Sequence, residues 1–392
     1  MLSKYALSAA IHVAPVPVIQ LGTQRGMQLG RKIRRGWSAL AACWLALQVG
    51  AACAQDISFD DPANPFTQDE PLLPPTPYVS PLGTLYFTGD FVGFTHLDPT
   101  SPYARVNRTT TVLSGNDFDF ANQPGMRLLL GARLTDYFSV EASYLGLFDW
   151  NDYQTVRNQD ANVFGTAGNL FSPFTAFGNP AQVGLDYNNF VSIASETQLN
   201  TGEFNFRRRV DLPSSGFQAS GLWGFRYISL ADRFSYRSQS ASPTPGGSAV
   251  ADDVVASNRM FGAQLGGALE MHIERRAWLN VETKGMMFTN ESSQSSVFTQ
   301  GPLAGPATTS VGGDRSQQRV TFGVDVQAVL SWRFSRFVVG RVGYQAIFLD
   351  GVALGANNFT QNARNAVVDP SELSNNGHMT FHGPFTGVTI TW

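Results

Sequence analysis

The run "VTFGVDVQAVLSW", residues 320–332, alternates over its whole length. Val320, Phe322, Val324, Val326, Ala328, Leu330 and Trp332 share one face, while Thr321, Gly323, Asp325, Gln327 and Ser331 share the other. Successive side chains of a strand point to opposite sides of a sheet, so the pattern predicts a strand with one apolar and one polar face. Strands of soluble sheets run to about five or six residues. Crossing a bilayer takes about nine to eleven, so a strand this long points to a membrane barrel.

The same grammar recurs along the chain. "YFSVEASYLGLFDW" (137–150) sets Phe138, Val140, Ala142, Tyr144, Phe148 and Trp150 against Ser139, Glu141 and Ser143. "GFQASGLWGFRY" (216–227) sets Phe217, Ala219, Trp223, Phe225 and Tyr227 against Gln218, Ser220 and Arg226. "WLNVETKGM" (278–286) sets Leu279 and Val281 against Asn280, Glu282 and Lys284. Strands are predicted at 84–96, 125–134, 137–150, 191–209, 216–237, 258–273, 277–290, 318–332, 336–349 and 379–392. Between them, short turns ("LTDY" 134–137, "VDLPSS" 210–215, "ERRA" 274–277, "RFSR" 333–336) alternate with long gaps at 97–124, 151–190, 238–257, 291–317 and 350–378. Short periplasmic turns and long outer loops mark a bacterial outer-membrane barrel.

Lipid leaves few alternatives. Every backbone polar group must be paired within the hydrocarbon, so only helices or closed barrels span it. After residue 54 no stretch approaches the ~18 consecutive apolar residues of a spanning helix. The expectation is therefore an all-β fold, a transmembrane antiparallel β-barrel over residues 83–392 with about ten strands. The range is eight to twelve, and twelve holds if the 151–190 loop hides a hairpin.

Export is written ahead of the barrel. "RKIRRGW" (31–37) supplies a positive region, "SALAACWLALQVG" (38–50) a short apolar core and Ala52-Cys53-Ala54 a small-residue cleavage site, the layout of a signal peptide over 1–54. Met27 is the alternative start within it. Residues 55–82, with Pro74, Pro75 and Pro77, read as a proline-rich periplasmic tail. Both cysteines, Cys43 and Cys53, lie in the leader, so the mature chain has no disulfide, thiolate metal site or cysteine nucleophile. Six of the 27 basic residues leave with the leader and none of the 30 acidic ones, giving a mature balance of −9. An acidic exported chain is a poor nucleic-acid binder.

Placed on the strands, Arg127, Arg133, Glu141, Glu203, Arg226, Glu270, Glu282, Lys284, Asp325 and Arg341 are expected to face the lumen. They either line a hydrated passage or pair across strands and plug a narrow barrel, since small barrels are just wide enough for side chains to fill. Trp150 is placed at an outer strand end and Trp278 and Trp332 at periplasmic ends, where aromatic rings anchor at the membrane interfaces. The closing "GPFTGVTITW" (383–392) alternates Val388, Ile390 and Trp392 with Thr389 and Thr391, which suits a last strand that pairs with the first. Gly387, Ile390 and Trp392 resemble the terminal assembly signal of outer-membrane barrels, implying barrel-assembly machinery as a partner beside outer-membrane lipid.

Enzyme signatures are missing. Neither a G-x-S-x-G elbow nor an H-E-x-x-H site is present around His96, His272, His378 and His382. The run Asn116-Asp117-Phe118-Asp119 gathers oxygen ligands but lacks the glycine and distant glutamate of a calcium loop. Gly262, Gly266 and Gly267 lie inside a strand pattern, which suits close inter-strand contact rather than a nucleotide loop. No cofactor or metal is expected.

"RLTDYFSVEASYLG" (133–146), "SGLWGFRYISL" (220–230), "NRMFGAQLGGALEM" (258–271), "NVETKGMMFTN" (280–290), "VGYQAIFLDGVALG" (342–355) and "HGPFTGVTITW" (382–392) resemble a family of porin-like outer-membrane β-barrel proteins abundant in planctomycetes. The resemblance covers most of 84–392 and implies location and fold, with no catalytic residues. Its functional expectation is a porin-like barrel passing small hydrophilic solutes, with the 151–190 loop as constriction or lid. The alternative is a non-conducting barrel whose outer loops serve adhesion or structure; an outer-membrane hydrolase is third. Assembly into an oligomer is left open.

Overall fold

A computed structural model describes residues 84–96, 101–120, 122–158, 168–211, 217–240 and 247–392. The leader and the proline-rich tail predicted over 1–82 lie outside the described residues.

Ten strands close into an antiparallel barrel. In chain order they are β1 (Thr84–His96), β4 (Gln123–Arg133), β5 (Phe138–Arg157), β7 (Phe190–Asp211), β8 (Phe217–Ser240), β9 (Ser248–Glu274), β10 (Ala277–Gly301), β11 (Thr309–Arg333), β12 (Val338–Val352) and β13 (Gly377–Thr391). Three short strands, β2 (Pro102–Val106), β3 (Thr110–Ser114) and β6 (Leu170–Phe171), form a small sheet separate from the barrel. The 151–190 segment therefore adds β6 to that sheet, and no hairpin to the barrel. One helix, α1 (Gly355–Asn362), lies between β12 and β13.

Closure joins the first strand to the last. Tyr86 pairs with Thr391 and Asp90 with Gly387, and Leu85 and Trp392 exchange backbone hydrogen bonds of 3.1 and 3.0 Å. On the lumen side the hydroxyls of Thr88 and Thr389 lie 2.8 Å apart. Val388, Ile390 and Trp392 stand exposed on the outer face.

The decisive run behaves as its alternation dictates. Val320, Phe322, Val324, Val326, Leu330 and Trp332 are exposed on the outer face, whereas Thr321, Asp325 and Ser331 are buried inside. Outward Trp223, Phe225, Phe261, Leu265 and Met287 continue the apolar band around the wall. Strands β7 to β11 carry 22 to 27 residues each, about twice what the bilayer needs. The predicted loops at 238–257 and 291–317 are thus mostly strand. Beyond Tyr227, Phe261 and Met287 the outward residues turn polar (Arg233, Arg259, Glu291), so the lipid-facing signal fades although β-pairing continues through Ser240, Ser248 and Gly301. The result is a wall that rises well above the membrane.

One irregularity redirects a face. Between Leu145 and Phe148 the β5–β7 register shifts, with Leu147 at φ 68°. A bulge adds one residue and so reverses side-chain parity beyond it. Tyr144 and Leu147 face out, but Phe148 and Trp150 turn inward and are buried. Trp150 is therefore no interface anchor: it is 0% exposed, and its indole Nε1 donates to the Phe94 carbonyl at 3.1 Å.

Candidate functional site

The lumen is the natural place to look, because alternation sends every second side chain there. Five acids and five bases meet in its periplasmic half. Arg226, 0% exposed, bridges Glu203 at 3.3 Å and Asp325 at 2.8 Å, and its Nε donates to the Thr201 hydroxyl at 3.0 Å. Lys284 joins Glu203 at 3.0 Å to Glu282 at 3.2 Å. Arg207 holds Glu141 and Glu282, both at 2.8 Å, while the Tyr86 hydroxyl also donates to Glu141 at 2.7 Å. Across the barrel Arg127 pairs with Asp90 at 2.6 Å, and Arg341 approaches the same carboxylate at 3.5 Å.

Two glutamines weld these groups into one layer. Gln345 accepts from Arg127 at 2.9 Å and donates to Asp325 at 2.9 Å. Gln327 accepts from Arg127 at 3.0 Å and donates to Glu282 at 3.1 Å. Removing charges from water costs several kcal/mol per ion, and only close partners and extra hydrogen bonds offset it. Asp90, Glu141, Glu203, Glu282 and Asp325 balance Arg127, Arg207, Arg226, Lys284 and Arg341, so the layer carries no net charge.

The lumen candidates divide by position. Arg127, Glu141, Glu203, Arg226, Glu282, Lys284, Asp325 and Arg341 meet in this layer. Arg133 and Glu270 stand apart at the periplasmic end, Glu270 facing the His272 ring at 3.6 Å. Asp90 and Arg207 are members that the sequence reading missed. Their signal was parity: Thr88, Asp90 and Val92 share a face, as do Glu203, Asn205 and Arg207. Gly387 sits opposite Asp90, and a Cβ there would strike the Asp90 carboxylate, so this glycine makes room for the charge layer.

The aromatic candidates also divide. Trp332 stands exposed on the outer face. Trp278 is at the periplasmic end as expected but shares the lumen face with Ser331, and the Arg333 guanidinium lies 5.6 Å from its ring centre. A register shift at Ala277/Trp278 accompanies that turn. As an interface anchor Trp278 is corrected together with Trp150.

The profile of the family described as "Putative beta barrel porin-7 (BBP7)" matches residues 104–382, well over half of the chain. The chain belongs to this family. As a porin-like outer-membrane barrel, it is also similar in fold to several solved outer-membrane proteins. The outer membrane protease OmpT from Escherichia coli shares 11% identity over 80% of this chain and 98% of that one, with a TM-score of 0.43. A major outer membrane protein from Thermus thermophilus shares 9% identity over 79% and 99%, with a TM-score of 0.29. The attachment invasion locus protein Ail of Yersinia pestis shares 7% over the same fractions, with a TM-score of 0.21. Identities this low bear on fold alone. No curated protein matches the chain.

Above the charge layer this porin-7 barrel is apolar inside. Phe94 stacks on Phe148 at 5.1 Å and Phe148 on Trp150 at 5.0 Å, with Phe381 5.2 Å from Trp150. Val92, Leu199, Ile228, Met260, Phe288 and Leu349 complete the buried cluster. His96 lies within it, 4.3 Å from Phe120.

The extracellular mouth is filled from two segments. Phe174 and Leu185, from the predicted constriction loop, and Phe359 of α1 pack with Tyr103, Phe234 and Tyr236. Asn258 clamps Ala353 through two 2.8 Å hydrogen bonds, and the Gly355 amide donates to the Asp232 carboxylate at 2.6 Å. Burial raises the pKa of that carboxyl despite the two donors it accepts. Asp252, seven residues beyond outward Arg259, is more isolated. It lies between Tyr236 and Phe298 in register, its Oδ2 has no hydrogen-bond partner, and burial pushes its carboxyl up to about 7. Among the described residues no acid or histidine group is arranged to hold a metal. Asp117 instead accepts from the Ser114 amide at 2.8 Å, and Asp152 from the Asp119 amide at 2.7 Å.

Proposed function

We infer that this barrel is a closed wall element of the outer membrane, not an enzyme, and that its work is done by the wall and loops it raises at the cell surface. One observation carries the reading: side chains fill the lumen in three successive levels. These are a compensated charge layer, an aromatic and aliphatic layer, and a mouth stoppered by Phe174 and Phe359. Interiors packed this way leave few voids larger than a water molecule. The histidines support a non-catalytic reading, since His382 Nδ1 lies 2.6 Å from the Tyr344 hydroxyl on the outer face and His96 is stacked among rings.

Passive diffusion of small hydrophilic solutes is the competing reading and requires all three levels to part. Recording in planar lipid bilayers decides between them. The heat-modifiable folded barrel is expected to give no conductance steps at any voltage; regular steps would overturn the closed-barrel reading. Export through a leader cleaved after Ala54, with assembly into lipid by the barrel machinery, belongs to the same proposal. N-terminal sequencing of the mature protein should begin at Gln55.

A further inference from the structure

The outward side of the raised wall carries a groove of about 380 Å³. Strand parity builds it. Ser192 of β7 and Ala249 and Ala251 of β9 present only small groups outward, so the floor is low. Tyr153 of β5, 57% exposed, stands at one side. The β10–β11 turn, through Pro302, Gly305 and Ala307, forms the other.

The polar groups of the groove are planar and fixed. Arg237 lies in the lining, its Nη2 donating to both carboxylate oxygens of Asp253 at 2.9 and 2.7 Å and its Nη1 to the Tyr236 carbonyl at 3.0 Å. These bonds orient the guanidinium and spend its charge on Asp253. Gln239 and Thr299 add an amide and a hydroxyl, each able to donate and accept. A neutral lining that combines an exposed aromatic face with fixed donors and acceptors suits a ligand that is itself two-sided. It must offer C–H groups to a ring and hydroxyls to planar polar partners. An anion would find Arg237 already neutralised, and a purely apolar ligand would bury the groove's amide and hydroxyl unpaired.

We propose that this groove, on the cell-surface wall of the barrel, binds a neutral saccharide, with Tyr153 as its stacking platform and Arg237, Gln239 and Thr299 as its hydroxyl partners. The site lies outside the lumen, so whether the barrel conducts has no bearing on it. The saccharide could be soluble or be the head of a membrane glycolipid; the chemistry is shared.

The test uses the full mature chain in lipid nanodiscs. Linear neutral oligosaccharides of glucose, galactose, mannose and N-acetylglucosamine, with an oligogalacturonate as the anionic comparison, are titrated by calorimetry at low and high salt, and nanodiscs with and without the native glycolipid form a second arm. Two variants report on the groove: Tyr153→Ala removes the platform, and Ala251→Phe fills the floor. Binding of at least one neutral saccharide, weakened at least tenfold by each variant while the barrel stays heat-modifiable, is the expected result. Binding only from the soluble panel assigns an external source, and binding only with glycolipid present assigns the membrane's own. No binding in either arm, binding unchanged in both variants, or binding confined to anionic sugars and abolished by salt would overturn the proposal.

Discussion

Asp252 offers the sharpest test of how the extracellular mouth is held. Its carboxyl sits among Tyr236, Phe298 and Ser296, with Asp253 adding a like charge and Arg237 a weaker opposing one. Burial raises its pKa from 3.8 to about 7. An acid whose pKa is raised in the folded state favours folding while protonated and loses that contribution as pH climbs from about 4 to about 7. Three units at about 1.4 kcal/mol each make the full effect about 4 kcal/mol. Between pH 5 and pH 8 about 3 kcal/mol of it falls within the measured window. Asp252→Asn keeps the shape and removes the charge, so its stability should not follow that fall. Urea unfolding in detergent micelles at pH 5 and pH 8, wild type against variant, reads the difference directly. Curves that run parallel between the two pH values would show that Asp252 ionises without cost and would refute the burial argument.

Other perturbations probe other levels of the molecule. Arg226→Met should cost about 3–5 kcal/mol by leaving Glu203 and Asp325 buried without their shared cation; adding Asp325→Asn and Glu203→Gln should recover much of it in the same urea assay. Phe359→Ala should loosen the stopper, a cost of about 3–5 kcal/mol for a buried phenylalanine, visible as protease cleavage within 353–376 while the barrel stays heat-modifiable. Trp392→Ala should slow assembly in cells yet leave the unfolding midpoint of the purified barrel unchanged, because that ring is 59% exposed on the outer face. Deleting Leu147 should remove the β5 bulge yet leave Phe148 and Trp150 facing inward, because Gly146 alone then stands between Leu145 and Phe148, opposite Asn200; an unchanged buried-tryptophan fluorescence signature is the expected readout, and a shift to an exposed one would speak against the parity argument.

What could be read in the sequence followed the lipid. The outward half of each strand must be apolar across the hydrocarbon, so alternation in "VTFGVDVQAVLSW" placed Asp325 inside and Trp332 outside correctly. The reading failed where lipid stopped imposing that code. Past Arg233 and Glu291 the outward face turns polar, and strands paired as firmly as those below looked like loops. It failed again where a single extra residue changed parity, since nothing in "YLGLFDW" states that Leu147 takes a left-handed backbone and sends Trp150 inward. A tryptophan near a strand end satisfies either an interface or a core, and only the bulge chooses between them. The charge layer was legible residue by residue but not as a layer. Parity says that Arg226 and Asp325 face the lumen; their 2.8 Å contact depends on the diameter and stagger of a barrel closed on itself. Ten strands bring opposite walls within reach of two side chains, and that is what lets the ten charges of this layer balance one another.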